Sequence, residues 1–218
     1  MSPHMQPPIT YLITGGKTTA ATKPSSKEFS RVLKLIEAAA AAGISLVQIR
    51  ERDLTAATVY ELALRTAAIT RGSGTRVLIN DRADIAAAAG AAGVHLTMRS
   101  LDAAVIRQSF GAEFLIGVST HSSAEAHRAF DDGADFIVFG PVFDTASKQI
   151  YGAPVGLERL NEVAHDLSPF PVLALGGVNS ENVRECLRAG AAGIAGISVF
   201  SEADDLRGIV RLVQVGGS

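Results

Sequence analysis

Two arginines and a glutamine alternate at the end of one short apolar run. Gln48, Arg50 and Arg52 are separated by single residues, so their side chains project to the same side of an extended chain. Guanidinium groups form bidentate hydrogen bonds with phosphate oxygens, and the three side chains together could therefore clamp a diphosphate. The alternative is a surface salt-bridge cluster that includes Glu51 and Asp53.

Two consecutive glycines end a later apolar run. Gly176 and Gly177 follow residues 171–175, and about one strand and one helix further on Ile197 is followed by Ser198. Backbone N–H groups at two neighbouring strand ends can form a cradle for phosphate oxygens. We therefore expect a phosphate ester among the ligands.

Two further segments offer groups that suit phosphates and cations. Asn80 and Asp81 combine an amide with a carboxylate that suits a divalent cation carrying phosphate oxygens, although the pair is equally typical of a turn or a helix N-cap. Thr145, Ser147 and Lys148 supply two hydroxyls and an ammonium in a long connection. Such a connection is typical of a loop that covers a site, the alternative being an ordinary flexible loop.

The histidines and the single cysteine exclude several enzyme classes. His121 directly follows an apolar run, where it could transfer a proton or form a structural hydrogen bond. His95 lies inside an apolar run and is interpreted as a core histidine, whereas His127 and His165 occupy solvent-facing helix positions. No two histidines have zinc-ligand spacing, and Cys186 lacks a nearby base. We therefore expect neither a metalloprotease nor a thiol enzyme.

Short strands alternate with helices along the whole chain. Apolar spacing of three and four predicts helices between the apolar runs, for example over residues 30–42, 56–70, 122–131 and 180–189. Glycines before several strands are predicted to cap helices or to allow tight returns; they are Gly43, Gly90, Gly93, Gly133, Gly190 and Gly193. The eight predicted strands cover residues 9–14, 46–50, 76–80, 94–97, 114–120, 136–142, 172–176 and 194–198.

This repeat predicts an α/β protein with a single (β/α)₈ TIM barrel, the alternative being an open doubly wound sheet. The barrel domain is expected over residues 9–218, after a flexible N-terminal tail of residues 1–8. In a barrel the carboxyl ends of all strands share one rim, so the polar groups described above are expected to converge there.

Composition bounds the partners and the compartment. The chain has 218 residues and a formal net charge of −2, a balance that argues against general nucleic-acid or membrane-surface binding. No segment before the first strand has the charged-then-apolar order of a secretory signal, no apolar stretch is long enough to cross a bilayer, and one cysteine excludes an internal disulfide. We predict a cytoplasmic enzyme that binds small phosphate substrates, and the sequence is compatible with a homo-oligomer.

Taken in order, these motifs resemble the thiamine phosphate synthase family. That family is a (β/α)₈ barrel that joins hydroxymethylpyrimidine diphosphate to a thiazole phosphate and releases diphosphate with the help of Mg²⁺. A sister branch, the thiazole tautomerases, acts on a carboxylated thiazole phosphate. The motifs are Gln48-x-Arg50-Glu51, Asn80-Asp81, Gly-Val-His-Leu at 93–96, Gly-Val-Ser-Thr-His at 117–121, Phe-Gly-Pro-Val-Phe at 139–143, Thr145-x-Ser147-Lys148, Gly176-Gly177 and Ile197-Ser198.

The resemblance implies a role for each matched position. It implies that Asp81 binds Mg²⁺ and that Arg52 occupies the position of a lysine in the synthases. The catalytic residues that we predict are Arg50, Ser119, His121 and Lys148. Gln48, Arg50 and Asn80 would hold the pyrimidine diphosphate, Ser119, Thr145, Ser147 and Lys148 would cover the diphosphate and the thiazole, and Gly177, Ile197 and Ser198 would cradle the thiazole phosphate.

One departure from the family pattern concerns the metal. The synthases usually carry a second acidic ligand where this chain has Ser100, and Asp102 lies two residues further on, where it is expected to cap a helix. A weakened Mg²⁺ site is therefore predicted. We predict a thiamine phosphate synthase, a transferase of thiamine biosynthesis. The alternatives are a thiazole tautomerase, favoured by the lost acid and by His121, although His121 also fits the synthase pattern, and a noncatalytic phosphate-binding paralogue.

Overall fold

The computed structural model describes residues 7–144 and 153–216, which form a closed barrel of parallel strands. The first strand pairs with both the second and the last, so the sheet has no free edge. This closure confirms the predicted (β/α)₈ barrel and excludes the open sheet. The strands are β1 (Ile9–Ile13), β2 (Leu46–Ile49), β3 (Arg76–Asn80), β4 (Gly93–Leu96), β5 (Leu115–Thr120), β6 (Phe136–Phe139), β7 (Val172–Leu175) and β8 (Gly193–Gly196).

Helices follow the strands and cover the outside of the barrel. The predicted helices lie close to the observed ones, although the first begins three residues earlier and the one after β7 begins three residues later than expected. In the parts of the chain that the structure describes, no helix is long and apolar enough to span a membrane. The helices are α1 (Lys27–Ala42), α2 (Ala56–Thr70), α3 (Ala83–Ala88), α4 (Ala103–Phe110), α5 (Ser123–Asp131), α6 (Gly156–Asp166), α7 (Val183–Arg188), α8 (Ser198–Ser201) and α9 (Leu206–Gly216).

Alternate residues of each strand enter two separate apolar layers. One parity fills the barrel interior, where Tyr11 and Phe136 pack edge to face with ring centroids 5.5 Å apart. The other parity packs against the helices, as Leu12 and Ile137 do. Because both faces of every strand are covered, the strands read as nearly continuous apolar runs in the sequence.

Two of the glycines that precede strands have a different role from the predicted one. Gly93 and Gly193 are the first residues of β4 and β8. A Cβ on Gly93 would lie 1.9 Å from the carbonyl oxygen of Leu115, and one on Gly193 would lie 2.0 Å from that of Ile9. These glycines therefore allow neighbouring strands to approach, rather than ending helices. The others have positive φ angles, which agree with the predicted positions at helix ends: Gly43, Gly90, Gly133 and Gly190.

The Arg107 network lies at the amino-terminal end of the barrel and joins the segments that precede β5 and β6. Arg107 lies in the last turn of α4 and forms an ion pair with Asp135, with 2.7 Å between Nη2 and Oδ2. The same Asp135 oxygen accepts the N–H of Ile116 at 2.8 Å. The guanidinium also donates hydrogen bonds to the carbonyl oxygens of Gly111, Ala112, Phe114 and Gly133.

Candidate active site

Gln48 lies inside the barrel, just below its carboxyl-terminal mouth. Its side chain is buried in β2, and its Nε2 donates a hydrogen bond of 3.2 Å to the hydroxyl of Tyr11. Burial raises the pKa of Tyr11 well above its usual value, so the phenol stays protonated and neutral. The amide of Gln48 is thus oriented by an uncharged partner at the floor of the mouth.

The two arginines after β2 occupy different environments. Arg50 is half-buried, and its backbone N–H donates to the hydroxyl of Thr14 at 2.8 Å. Arg52 is exposed and lies in a turn, because β2 ends at Ile49. The prediction that Gln48, Arg50 and Arg52 project to the same side assumed an extended chain. Because the extended chain stops before Arg52, the prediction does not hold for that residue. Both arginines nevertheless remain at the carboxyl end of the barrel.

Glu51 has a role that the sequence did not indicate. Rather than joining a surface salt-bridge cluster, the residue is 5% exposed, and its carboxylate accepts hydrogen bonds from the loop between β1 and α1. The donors are the N–H of Gly16 at 3.2 Å, and the N–H and hydroxyl of Thr18 at 3.3 and 2.7 Å. The only indication in the sequence was that Glu51, in an extended chain, projects to the side opposite to Gln48 and Arg50.

The carboxyl end of β3 presents Asn80 and Asp81. Asn80 is half-buried and lies opposite His95 in the register of β3 and β4. Asp81 is exposed, has a φ of 62°, and donates its N–H to the carbonyl oxygen of His95 at 2.9 Å. The N-cap of α3 is Arg82, so the N-cap alternative for Asp81 is wrong. A left-handed conformation at a residue other than glycine is costly and is found preferentially at functional sites.

Ser100 is held within the β4–α4 connection. Its hydroxyl accepts the N–H of Thr97 at 2.8 Å, and its own N–H donates to the carbonyl oxygen of Thr97 at 3.0 Å. Asp102 occupies the N-cap position of α4, as expected, but its side chain forms no capping hydrogen bond. The residue lines a groove with the outward-facing Leu96 and Val118. Asp102 is therefore on the outer side of the barrel wall.

Asp81 is an exposed carboxylate at the end of β3 that suits a divalent ion. Among the residues that the structure describes, no cluster of three or more histidine, cysteine or acidic side chains could hold a metal. The neighbouring Asp84 is paired with Arg82, whose hydrogen bond lowers the pKa of that carboxyl. Mg²⁺ is commonly held by one or two carboxylates together with substrate phosphates, so Asp81 fits such an ion when a diphosphate supplies the other ligands.

Ser119 is oriented by a buried histidine. The Nε2 of His95 lies 2.8 Å from the Ser119 hydroxyl, and His95 is 2% exposed, as expected for a core histidine. Gly117 makes room for this pair, because a Cβ there would lie 2.3 Å from Cζ of Phe136 and 2.8 Å from Nδ1 of His95. Ser119 thus lies at the mouth of the barrel, and its hydroxyl is oriented by the hydrogen bond with His95.

His121 connects the ends of β5 and β6. Its Nδ1 forms a short hydrogen bond with the carbonyl oxygen of Gly140, and its backbone N–H donates to Glu125 at 2.6 Å. A carbonyl oxygen can only accept, so Nδ1 carries a proton. These contacts support the structural alternative for His121, and proton transfer by this residue stays a prediction.

The ends of β7 and β8, where the phosphate cradle was predicted, are neighbours in the barrel. Gly176 and Gly177 have φ angles of 96° and 66°. A Cβ on Gly177 would lie 2.6 Å from the carbonyl oxygen of Asp144. Within residues 7–144 and 153–216, the N–H of Gly177 donates no hydrogen bond. Ser198 begins α8, where the first N–H groups lack partners within the helix.

Some of the remaining predicted residues lie outside the described part of the chain, and the others lie away from the mouth of the barrel. Thr145, Ser147 and Lys148 lie outside the described residues, and so does most of the predicted tail of residues 1–8. Burial raises the pKa of the Cys186 thiol to about 12, which keeps it protonated and unreactive at neutral pH. His127 and His165 are exposed, as predicted.

Comparisons with known proteins identify the family. The model of the family described as thiamine monophosphate synthase matches residues 11–200. A protein from Geobacter sulfurreducens is 48% identical over 81% of this chain and 82% of its own length. A thiamine-phosphate synthase from Chloroflexus aurantiacus is 39% identical over 83% of this chain and 82% of its own length.

A solved structure agrees with these sequence relatives. The thiamine phosphate pyrophosphorylase from Pyrococcus furiosus superposes with a TM-score of 0.79 at 28% identity, covering 96% of this chain and 97% of that one. The family predicted from the motifs is thereby confirmed. The chain belongs to the thiamine monophosphate synthase family.

Proposed function

We propose that this protein is a thiamine-phosphate synthase, which joins hydroxymethylpyrimidine diphosphate to a thiazole phosphate and releases diphosphate. As a family member with relatives of that name, it is a transferase of thiamine biosynthesis. The observation that carries the proposal is the presence on one rim of groups for both substrates. Arg50 and Asn80 suit the diphosphate, and Gly177 and Ser198 suit the thiazole phosphate.

In the proposed reaction, the bond between the pyrimidine methylene carbon and the diphosphate oxygen breaks, and the thiazole nitrogen forms a bond to the same carbon. Negative charge grows on the departing diphosphate when the first bond breaks ahead of the second. Fixed cations such as Arg50 stabilise that charge and lower the barrier. Little general acid or base is required, which agrees with a rim where His95 orients Ser119 and His121 bonds to a backbone carbonyl.

The proposal includes Mg²⁺, held by Asp81 and the substrate diphosphate. When bound, the ion supplies positive charge beside the leaving group. Ser100 carries no charge and its hydroxyl is hydrogen-bonded to Thr97, so the ion would have one acidic ligand from the protein in this region. We therefore expect turnover to require more Mg²⁺ than a site with two carboxylates would need.

The thiazole tautomerase is the second candidate, and the serine at position 100 is the observation that favours it. The tautomerase has little use for the arginines after β2 or for Asn80 and Asp81, whereas the synthase uses them all. We rank the noncatalytic paralogue below both because the charged rim is retained on several strands. We also propose that the enzyme is cytoplasmic and that its partners are small phosphorylated substrates rather than nucleic acid or a membrane.

The direct test supplies the purified protein with hydroxymethylpyrimidine diphosphate, thiazole phosphate and Mg²⁺. We expect thiamine phosphate and diphosphate in equal amounts, and loss of both when the metal is chelated. A parallel reaction with carboxythiazole phosphate alone measures tautomerase activity. Isomerisation without any thiamine phosphate would contradict the synthase and establish the tautomerase, and ligand-induced thermal stabilisation without either product would favour the paralogue.

A further inference from the structure

The loop between β1 and α1 brings an ammonium group to the mouth of the barrel. Residues of β1 such as Tyr11 and Ile13 point into the barrel, and the same alternation turns Gly15 toward the mouth. A Cβ on Gly15 would lie 3.8 and 3.9 Å from Cγ and Cε of Lys17, and 3.6 Å from Cγ2 of Ile197. The lysine side chain and Ile197, the residue that follows β8, therefore both lie beside Gly15.

Both neighbours of Lys17 are anchored by one buried carboxylate. Gly16 donates its N–H to Oε1 of Glu51, and Thr18 donates its N–H and its hydroxyl to Oε2. Gly16 has a φ of 65°, and a Cβ there would lie 3.3 Å from the carbonyl oxygen of Arg50. The loop is thus fixed against the segment after β2. A fixed loop loses less conformational entropy when its side chain engages a ligand.

We infer that Lys17 is an additional binding residue for the phosphate of the thiazole substrate, and that Glu51 is a positioning residue that keeps it there. The inference rests on the proposed function, which puts that phosphate at Gly177 and Ser198. Backbone N–H groups carry only partial charges, so a phosphate held by them gains from a full positive charge nearby. Lys17 and Ile197 both lie beside Gly15, which favours this phosphate over the diphosphate near Arg50.

The test compares Lys17→Ala with Lys17→Arg and with the matched control Lys23→Ala. Lys23 is an exposed lysine of the same loop, beside the turn that it forms with Ser26. We expect Lys17→Ala to raise the KM for thiazole phosphate about tenfold while kcat and the KM for the pyrimidine diphosphate stay within about twofold. Lys17→Arg should restore most of the affinity, and Lys23→Ala should change none of these constants.

Glu51→Gln tests the positioning role. The amide nitrogen of glutamine cannot accept a hydrogen bond, so at least one anchor of the loop is lost. In the Glu51→Gln background, Lys17→Ala should raise the KM for thiazole phosphate by less than about threefold, because the lysine is no longer held. A full tenfold effect in that background would show that Glu51 serves stability alone.

A calorimetric titration with thiazole phosphate separates this inference from the proposed function. It measures Kd without turnover, and Lys17→Ala should weaken binding about tenfold. A wild type that binds this ligand in a Lys17-dependent way but makes no thiamine phosphate would contradict only the proposed function. Unchanged Kd and KM in Lys17→Ala, or an effect limited to the pyrimidine diphosphate, would overturn the inference. Absence of wild-type binding together with absence of thiamine phosphate formation would overturn both.

Discussion

The two ends of the barrel use their cationic side chains differently. At the amino-terminal end, the guanidinium of Arg107 bonds to backbone carbonyls and to Asp135, and its donors serve the fold itself. At the carboxyl-terminal end, Lys17 and Arg52 are exposed on loops that follow β1 and β2. A cation bonded to backbone carbonyls stabilises the fold at the amino-terminal end, whereas an exposed cation at the carboxyl-terminal end keeps its capacity for an anionic ligand.

The same contrast appears in the carboxylates. Asp135 is paired and accepts a backbone N–H, whereas Asp81 is exposed in a strained backbone conformation. Strain is retained only where the surrounding structure enforces it, and it is concentrated at functional sites. Substitutions at the two ends should therefore separate activity from stability.

The largest effect is expected from Arg50→Ala. Loss of a fixed cation beside the leaving diphosphate should reduce kcat/KM by roughly 10²–10³-fold, while thermal stability changes little. Steady-state assays with each substrate varied in turn measure the loss. Ser198→Ala serves as the comparison at the other half of the mouth, where a severalfold rise in the KM for thiazole phosphate with unchanged kcat is expected. Unchanged turnover in both variants would show that these residues are not at the active site.

Arg107→Ala should have the opposite profile. The substitution leaves Asp135 and several carbonyl oxygens without their donor, and we expect a loss of about 2–3 kcal/mol in the free energy of unfolding. That loss corresponds to a Tm about 5–10 °C lower, measured by circular dichroism, with kcat retained at 25 °C. The control is Arg211→Ala, which breaks an exposed pair with Asp205 and should cost less than about 0.5 kcal/mol. Equal losses in the two variants would contradict a special role for the Arg107 network.

Asp81→Gly should change stability in the direction opposite to Arg107→Ala. Glycine adopts a φ of 62° without strain, so the free energy of unfolding should stay unchanged or rise by up to about 1 kcal/mol. Activity at limiting Mg²⁺ should fall at least about tenfold, because the carboxylate is lost. Asp81→Asn separates the two contributions, since it keeps a side chain suited to this conformation but removes the charge. Full activity of both variants would exclude Asp81 as the metal ligand.

Much of the fold could be predicted because the barrel repeats one local pattern. Each apolar run is covered on both faces, and each helix shows spacing of three and four, so strands such as β3 were predicted with their observed bounds. Strand ends were less well predicted. The predicted second strand extended to Arg50, whereas β2 ends at Ile49 and a turn follows.

The candidate site was predicted for the residues whose position follows from a strand end. Gln48, Asn80, Ser119 and Gly177 could all be placed on one rim once eight strands were recognised. Glu51 could not be interpreted in the same way, because its three donors lie 33 to 35 residues earlier in the chain. Long-range hydrogen bonds leave no local pattern in one sequence.

The sequence by itself determined the number and order of the strand and helix units, the family, and the rim on which polar groups gather. These follow from periodicity and from motifs that are local. Only the tertiary structure decided that Gly93 and Gly193 allow strand contact, that Asp81 is left-handed, and that the hydroxyl of Ser100 is bonded to Thr97. Such properties depend on which distant atoms approach a residue, and closure of the barrel brings those atoms together.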